Sequence, residues 1–291
     1  MNVDPWQPPS PSLRRHGSLW IAEGECEVSY PDDSNESCFQ LEDGSWWFRH
    51  RNDVLRDALH RHPPGGLLYD VGGGNGFQTQ AFEEAGFPAV VVEPGTGALN
   101  AAKRGLSRII QSSLAGAGFD SGSLPAVGMF DVLEHIEDET GCLTEIHRIL
   151  RPNGRLYLTV PALTSLWSDE DVSAGHFRRY SRPSLRKALE KANYRIDEIS
   201  YFMFWPVLPI FCLRSLPHRL GRLRPTTGNA ESSPAGSPES KEDPPSEHRL
   251  PWFLAPFIQP IQELERRRLR HGGSQPFGSS LLAIATKISS R

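Results

Sequence analysis

The sequence predicts an α/β protein in which a doubly wound, mostly parallel β-sheet is covered by helices on both faces. Short and almost continuously apolar runs, such as residues 66–71, alternate with segments whose apolar residues recur at helical spacing. Strands with this composition are buried on both faces and are typical of parallel sheets. In such sheets ligands bind beyond the carboxyl ends of the strands, so that edge is where we expect a functional site.

Each element is predicted from its own pattern. Apolar residues at helical spacing indicate helices, whereas apolar runs that end at Gly, Pro or Asp indicate strands. The predicted helices cover residues 45–62, 77–85, 98–104, 143–150 and 181–193, and the predicted strands cover 66–71, 89–94, 107–111, 124–131, 154–162, 194–203 and 279–288.

Composition narrows the class of protein. The chain of 291 residues has a formal net charge of -4, which gives no overall reason to bind nucleic acid. Its four cysteines, Cys26, Cys38, Cys142 and Cys212, form no C-x-x-C pair, so we predict neither a metal site nor a disulfide framework. The first residues contain no continuous apolar run like that of a secretory signal, and we therefore expect a cytoplasmic protein.

A glycine-rich turn, "DVGGGNG", follows the strand at 66–71, and Glu93 ends the next strand. A carboxylate at this second position can accept both ribose hydroxyls of an adenosine, as nicotinamide and adenosyl cofactors both require. A dinucleotide site, however, has the spacing G-x-G-x-x-G. Here Gly72, Gly74 and Gly76 bring the third glycine one position early, and Asp70 would repel a pyrophosphate. An NAD(P)-dependent oxidoreductase is therefore the second choice.

Four features in order, "DVGGGNG", Glu93, "FDVLEHIED" and "LRPNGRLYLTVPA", resemble the successive motifs of class I S-adenosylmethionine-dependent methyltransferases. The resemblance implies a Rossmann-like sheet of seven strands whose last two strands form an antiparallel hairpin, interrupted here by a helical insertion. The resulting division is a partly disordered N-terminal extension at 1–44, a methyltransferase domain at 45–203, an insertion at 204–277 with a disordered linker at about 222–249, and the last strand at 278–291.

The resemblance also implies which residues hold S-adenosylmethionine. Arg51 would pair with the cofactor carboxylate, Asp70 and the glycine turn would hold the methionine and ribose portions, and Glu93 would take the ribose hydroxyls. Phe130 and Asp131 would end a strand beside the methyl group. The predicted cofactor-binding residues are Arg51, Asp70, Gly72, Gly74, Asn75, Gly76, Glu93, Phe130 and Asp131.

Three residues are candidates for catalysis, although methyl transfer depends largely on positioning and on the exclusion of water. Asp131 could orient the acceptor or contact the cofactor amino group, and it could equally cap the segment that follows. His135 could act as a base, or it could fix the local turn by hydrogen bonds. His176, in the loop after the fifth strand of the predicted domain, is the third candidate.

The loop "WSDEDVSAGHFRRYS" is the candidate acceptor site. Paired arginines with a histidine and a tyrosine suggest an acceptor that bears a carboxylate or a phosphate. The alternative is that the arginines form surface ion pairs with the acids at 169–171. The predicted substrate-binding residues are Trp167, His176, Arg178, Arg179 and Tyr180.

The insertion begins with an apolar segment that is too short to cross a membrane. Residues 199–213 carry no charge, but this is 15 residues where about 20 are needed, and Pro206 and Pro209 interrupt it. It could form a lid over a hydrophobic acceptor, lie on an anionic membrane surface as a peripheral contact, or pack as helices on the core.

The function expected from all of these features is methyl transfer to a small molecule, with lipid-linked and aromatic compounds as candidate acceptors. A catalytically silent cofactor-binding module that regulates a partner is the alternative from another class of protein. The oligomeric state is not indicated.

Overall fold

The computed structural model describes residues 6–22, 39, 41–221 and 255–288, with side chains from 258 onward in the last range. The strands are β1 (Leu13–His16), β2 (Leu19–Ala22), β3 (Leu68–Val71), β4 (Ala89–Val92), β5 (Ile109–Gln111), β6 (Leu124–Phe130), β7 (Leu150–Pro161), β8 (Tyr194–Phe202) and β9 (Ser280–Lys287). The helices are α1 (Trp46–Arg61), α2 (Phe77–Glu84), α3 (Gly97–Lys103), α4 (Glu139–Ile149), α5 (Asp169–Ser173), α6 (Arg182–Lys191), α7 (Val207–Ile210), α8 (Leu216–Arg219) and α9 (Ala255–Arg270).

All nine of these strands form one sheet, in the order β1-β2-β5-β4-β3-β6-β7-β9-β8. Neighbours from β2 to β7 pair in parallel, whereas β9 is antiparallel to both β7 and β8. The predicted α/β fold with an antiparallel last hairpin is therefore confirmed. Strand β3 lies between β4 and β6, where the order along the chain reverses, and such a switch point leaves a crevice at the carboxyl ends of the strands.

An N-terminal hairpin extends the sheet beyond the seven predicted strands. Strand β2 pairs in parallel with β5, and Gly17 turns the chain between β1 and β2 with φ of +60°. Leu13 and Leu19 are buried, and the ring of Trp6 packs 6.5 Å from that of Tyr69. The prolines around this stretch masked its strand signal in the sequence. Residues 1–5 and 23–38 lie outside the described part of the chain.

Helices cover both faces of the sheet, as the apolar periodicity predicts. On one face α1 buries Val54, Leu55, Ala58 and Leu59 in a cluster that includes strand residues such as Ile284. On the other face α4 and α6 pack onto the sheet in a separate cluster through a set of buried apolar side chains. This set comprises Leu143, Ile146, Ile149, Leu185 and Leu189.

The second arm of the insertion, α9, is attached to the domain by a buried carboxylate. Glu265 has no exposed surface, and its Oε2 lies 2.7 Å from His50 Nε2 on α1. The backbone N–H groups of Met203 and Phe204, at the end of β8, donate to the same carboxylate at 3.0 and 3.1 Å. Three roles were considered for the insertion, and α9 has the third of them, because it packs on the core. The predicted linker at 222–249 lies outside the described residues.

The first arm, residues 207–219, packs on the segment that follows β7. His218 Nδ1 lies 2.7 Å from Asp169 Oδ1, and Arg219 donates to the carbonyl of Ser165 at 3.1 Å. Several apolar side chains of the arm are exposed, with Leu208 at 69% and Leu213 at 74% exposure. Across the described ranges, no helix combines the length and the apolar character that a membrane span requires.

Replacement of Glu265 by Ala should destabilise the protein markedly. It leaves two buried backbone N–H groups and His50 without their acceptor, and each buried polar group left unsatisfied costs about 1–3 kcal/mol. The unfolding free energy from urea denaturation measures the effect. Glu263→Ala is the matched control on the same helix, because its ion pair with Arg267 is exposed and its loss should cost about 0.5 kcal/mol or less. Equal losses in the two variants would contradict the attachment of α9 through Glu265.

Candidate functional site

Acidic residues from three neighbouring strands meet at the switch point. In the sheet register Asp70 of β3 lies beside Val91 of β4 and Gly128 of β6. Glu93 directly follows β4, and Asp131 directly follows β6. The parallel pairing therefore brings the predicted acids to one edge of the sheet.

The glycine turn has three residues in the left-handed region, with φ of +71° at Gly72, +51° at Gly74 and +75° at Gly76. A Cβ on Gly72 would lie 2.6 Å from Val132, and one on Gly76 would lie 2.6 Å from Leu106, so these two positions are closed by packing. A Cβ on Gly74 would meet no atom within 4 Å. Gly74 therefore presents its backbone to open space, where a ligand can approach it closely.

Glu93 is held by the backbone on both sides of its carboxylate. Its Oε2 accepts from the N–H of Gly74 at 3.0 Å, and its Oε1 accepts from the N–H of Gly95 at 2.8 Å. The Glu93 carboxylate is therefore fixed in place beside the open backbone of Gly74.

Asp70 is fully buried and incompletely hydrogen-bonded. Its Oδ2 accepts from Thr79 Oγ1 at 2.6 Å, whereas Oδ1 has no partner among the described residues. Burial is the main cause that raises the pKa of Asp70, to a net value of about 7; Thr79, Arg51 and Gln78 lower this pKa, and the charge of Glu93 raises it. An orphaned buried carboxylate oxygen fits a cationic ligand. S-adenosylmethionine carries both a sulfonium and an ammonium group, so the residues present fit this cofactor.

Arg51 and Asp131 are joined directly. Arg51 donates to Asp131 Oδ2 at 2.7 Å and to Gln78 Oε1 at 2.9 Å, and its guanidinium lies 4.8 Å from the ring of Trp47. Asp131 has φ of +59°, an uncommon conformation for a residue with a side chain. The ring of Phe130 packs in the core 5.5 Å from that of Phe82.

Asn75 connects the glycine turn to the chain before α1. Its amide nitrogen donates to Glu42 Oε1 at 3.3 Å, and its oxygen accepts from Asn100 at 3.0 Å. Burial raises the pKa of Glu42, and the ion pair with Arg104 at 2.9 Å lowers it. The structure thus engages Asn75 within the protein, and its role toward the cofactor stays a prediction.

His135 and His176 meet next to Asp131, although they come from separate loops. Their rings are perpendicular, with centroids 4.7 Å apart. Nδ1 of His176 lies 2.8 Å from Asp171 Oδ1, which also accepts from Arg179 Nε at 2.7 Å. Burial and the nearby charge of His176 lower the pKa of His135 to about 4, so its ring is neutral near pH 7 and a weak general base.

Glu134 lies close to these two histidines, and the sequence did not identify it as a candidate. It is buried, and its Oε2 has no hydrogen-bond partner in the part of the chain described. Burial, together with the charge of Asp131, raises the pKa of Glu134 well above its ordinary value, while Arg51 and Arg179 lower it. Its position in the sequence, immediately before the candidate base His135, could have identified it. Gln78 and Thr79 were missed as well, although the first turn after a glycine loop faces the strand ends.

The predicted acceptor residues divide into two groups. Arg179 and His176 both contact the carboxylate of Asp171, and they lie near His135. Arg178 instead donates to the carbonyl of Glu137 at 2.7 Å, and the buried Tyr180 donates to Glu139 at 2.7 Å, near the start of α4. Trp167 is half-buried directly after the turn Thr164–Leu166. Ion pairs within the protein thus occupy the arginines, and a role toward the acceptor remains a prediction.

Comparisons with known proteins agree with this geometry. Residues 47–199 match a family of proteins described as "Methyltransferase domain". An uncharacterized methyltransferase of Mycobacterium sp. strain JLS is 28% identical over 127 residues, which are 43% of this chain and 50% of the relative. A Mycolicibacterium smegmatis protein named as a probable S-adenosylmethionine-dependent methyltransferase is 23% identical over 162 residues, covering 54% and 63%. The matches to these relatives thus span about half to two thirds of their length.

Solved structures show the same fold. A chain in the complex of the Haloferax volcanii Trm112 methyltransferase activator with a methyltransferase has a TM-score of 0.55 at 16% identity, covering 91% of this chain and 99% of its own. An S-adenosylmethionine-dependent methyltransferase from Thermotoga maritima has a TM-score of 0.51 at 16% identity, covering 88% and 95%. With the family match over more than half of the chain, the resemblance seen in the sequence is confirmed, and the protein belongs to the class I S-adenosylmethionine-dependent methyltransferases.

Proposed function

We propose that this protein transfers the methyl group of S-adenosylmethionine to a small-molecule acceptor that binds beside His135 and His176. The observation that carries this proposal is the buried Oδ1 of Asp70, which has no hydrogen-bond partner among the described residues and belongs to a carboxylate near Glu93 and the open backbone of Gly74. A buried anion and a positioned carboxylate suit the cationic and ribose portions of one ligand.

Each residue at the strand ends then has a separate task. Glu93 accepts the ribose hydroxyls, and Asp70 offers its anionic oxygen to the cationic end of the cofactor. Arg51, which already binds Asp131, orients this aspartate at the end of β6. Bound S-adenosylmethionine supplies an electrophilic methyl group on sulfur. The residues of the chain contribute positioning and exclusion of water, which can supply a large share of the rate enhancement for such a displacement.

The first arm of the insertion supports an acceptor that is apolar or lipid-linked. It packs on the segment 164–170, which leads into the loop of His176, and it exposes three leucines, Leu208, Leu213 and Leu216, with the exposed Leu220 directly after it. Exposed apolar side chains grouped on one short segment are typical of contacts with lipid or with another apolar partner. We therefore favour an acceptor presented at a membrane surface, with the arm as the peripheral contact.

A cofactor-binding module without activity is the alternative. It would share the features of Asp70 and Glu93, because methyl transfer demands few side chains. The two functions differ in turnover. Incubation of the protein with S-adenosylmethionine and extracts of candidate acceptors should produce S-adenosylhomocysteine together with a labelled product when the methyl group carries an isotope. Cofactor binding without product in polar and lipid extracts alike would favour the silent module.

Replacement of Glu93 by Ala should weaken the binding of S-adenosylmethionine at least about tenfold. Hydrogen bonds to a charged group contribute about 1.5–3 kcal/mol, and about 1.4 kcal/mol corresponds to a factor of ten. Isothermal titration calorimetry measures the dissociation constant. Glu84→Ala, at the exposed end of α2, is the control and should bind as the wild type does. An unchanged dissociation constant for a folded Glu93→Ala protein would remove Glu93 from the cofactor site.

Cofactor binding should release a proton from Asp70 near neutral pH. The pKa of this carboxyl in the folded protein is about 7, compared with an ordinary 3.8, so its ionisation lowers stability as pH rises from about 4 to 7. A cationic ligand favours the ionised form and expels the proton. Calorimetry in two buffers of different ionisation enthalpy should detect this release at about pH 6.5.

The release should vanish at about pH 8.5, where the carboxyl is already ionised, and it should vanish in Asp70→Asn at either pH. An equal number of protons released by the wild type and by the Asn variant would show that another group titrates with binding.

The apolar arm should bind lipid. The full chain should sediment with vesicles that contain anionic phospholipid, and the double variant Leu208→Ser/Leu213→Ser should bind at least about tenfold more weakly. Burial of one Leu side chain contributes about 1.5–3 kcal/mol. Leu264→Ser removes a leucine of similar exposure from α9 and should leave binding unchanged. Equal binding by the double variant, or no binding by the wild type, would remove the membrane contact.

A further inference from the structure

We infer that Glu134, His135 and His176 form a site for one divalent transition-metal ion, beside the place proposed for the methyl acceptor. Each residue offers one donor atom, and the three atoms lie within 4.8 Å of one another. Donors bound to a metal at 2.0–2.2 Å stand about 3.4 Å apart. A small shift of the two partly buried imidazoles toward Glu134 would complete this geometry.

The donor set defines the class of ion. Two imidazole nitrogens and one carboxylate oxygen suit Zn²⁺, Mn²⁺, Fe²⁺ or Co²⁺, and this combination leaves further coordination positions for other ligands. Mg²⁺ and Ca²⁺ prefer sites made of oxygen atoms. The cysteine-based expectation of no metal site did not consider histidine and carboxylate ligands from different loops.

Both histidines form the kind of supporting hydrogen bond that orients histidines in metal sites. A ligating imidazole commonly donates its second N–H to a carboxylate or to a backbone carbonyl. His176 uses Nδ1 for Asp171 at 2.8 Å, which leaves Nε2 as its donor atom toward the cluster. His135 forms a hydrogen bond with the backbone of Ala174. Asp171 is fixed in turn by Arg179 at 2.7 Å.

The buried carboxylate of Glu134 is the observation that points to a ligand. The neighbouring acids have arginine partners, since Arg51 pairs with Asp131 and Arg179 pairs with Asp171. Within the described chain, no cationic side chain forms such a pair with Glu134, and its Oε2 has no hydrogen-bond partner. A buried carboxylate oxygen in this state is costly unless a cation or a donor joins it. Edge-to-face packing of the two imidazole rings would explain the histidines but would leave Glu134 unexplained.

The chemical role of the ion rests on the proposed function. An acceptor hydroxyl that binds at an open coordination position has a lowered pKa and loses its proton to water. The resulting oxyanion attacks the methyl carbon; the C–O bond forms as the C–S bond breaks, and its electron pair stays on sulfur, which becomes a neutral thioether. The site therefore favours an acceptor whose nucleophile is a hydroxyl or phenol oxygen.

The test uses the full chain after treatment with a chelator and titration with Co²⁺. We expect one ion per chain, with visible absorption bands that indicate nitrogen and oxygen ligands, and a higher melting temperature. Glu134→Gln and His176→Ala should each weaken binding at least tenfold, and Asp171→Asn should weaken it 10- to 100-fold through the orientation of His176. His60→Gln, a change at an exposed histidine on α1, is the control for binding to surface histidines.

Two results would overturn the metal site. One is the absence of these bands and of a thermal shift in the wild type, a measurement that does not depend on the folding of any variant. The other is equal affinity of the His60→Gln and Glu134→Gln proteins for Co²⁺. Titration of the same samples with S-adenosylmethionine separates this proposal from the methyltransferase function, since loss of metal binding leaves cofactor binding intact, and Glu93→Ala should bind Co²⁺ normally.

Discussion

The burial of carboxylates at the carboxyl ends of adjacent parallel strands is the constraint on which the rest of this structure depends. The pairing of β3 with β4 and β6 fixes Asp70, Glu93 and Asp131 near one another, where like charges repel. Backbone N–H groups offset the cost at Glu93 and Arg51 offsets it at Asp131, whereas one oxygen of Asp70 has no compensating partner among the described residues. A buried acid without a partner lowers the stability of the protein when no ligand is bound. The same acid strengthens the binding of a cationic ligand.

Helix α1 links this site to the insertion. Its consecutive residues His50 and Arg51 point to different partners, since His50 contacts Glu265 of α9 and Arg51 contacts Asp131 at the strand ends. Glu265 also accepts from the backbone at the end of β8, so one carboxylate connects α9, α1 and the sheet. The second arm therefore supports the helix that contacts Asp131, and an insertion remote from the glycine turn contributes to the geometry at the carboxyl ends of the strands.

The sequence predicted those features that local pattern controls. Period and composition identified the strands, because each of these signals lies within a few residues. The assignment of Gly74 and Glu93 to the cofactor stays a prediction. The hairpin β1–β2 was missed because prolines surround it and its stability comes from pairing with β5, nearly ninety residues away. The cluster of Glu134, His135 and His176 was missed for a similar reason, since His176 comes from a different loop. The directions of Arg178 and Tyr180 likewise depend on tertiary partners that no local pattern encodes.

The turn after β6 and the loop after β7 act as one unit, because the N–H of Phe177 donates to the carbonyl of Glu134 at 2.8 Å. Asp131, in the left-handed conformation, accepts from Arg51, and Glu134, three residues later, is buried. In the proposed function the cofactor lies on the side of Asp131 and the acceptor on the side of Glu134. A shift of the backbone from Asp131 to His135 would then change the distance between methyl donor and acceptor.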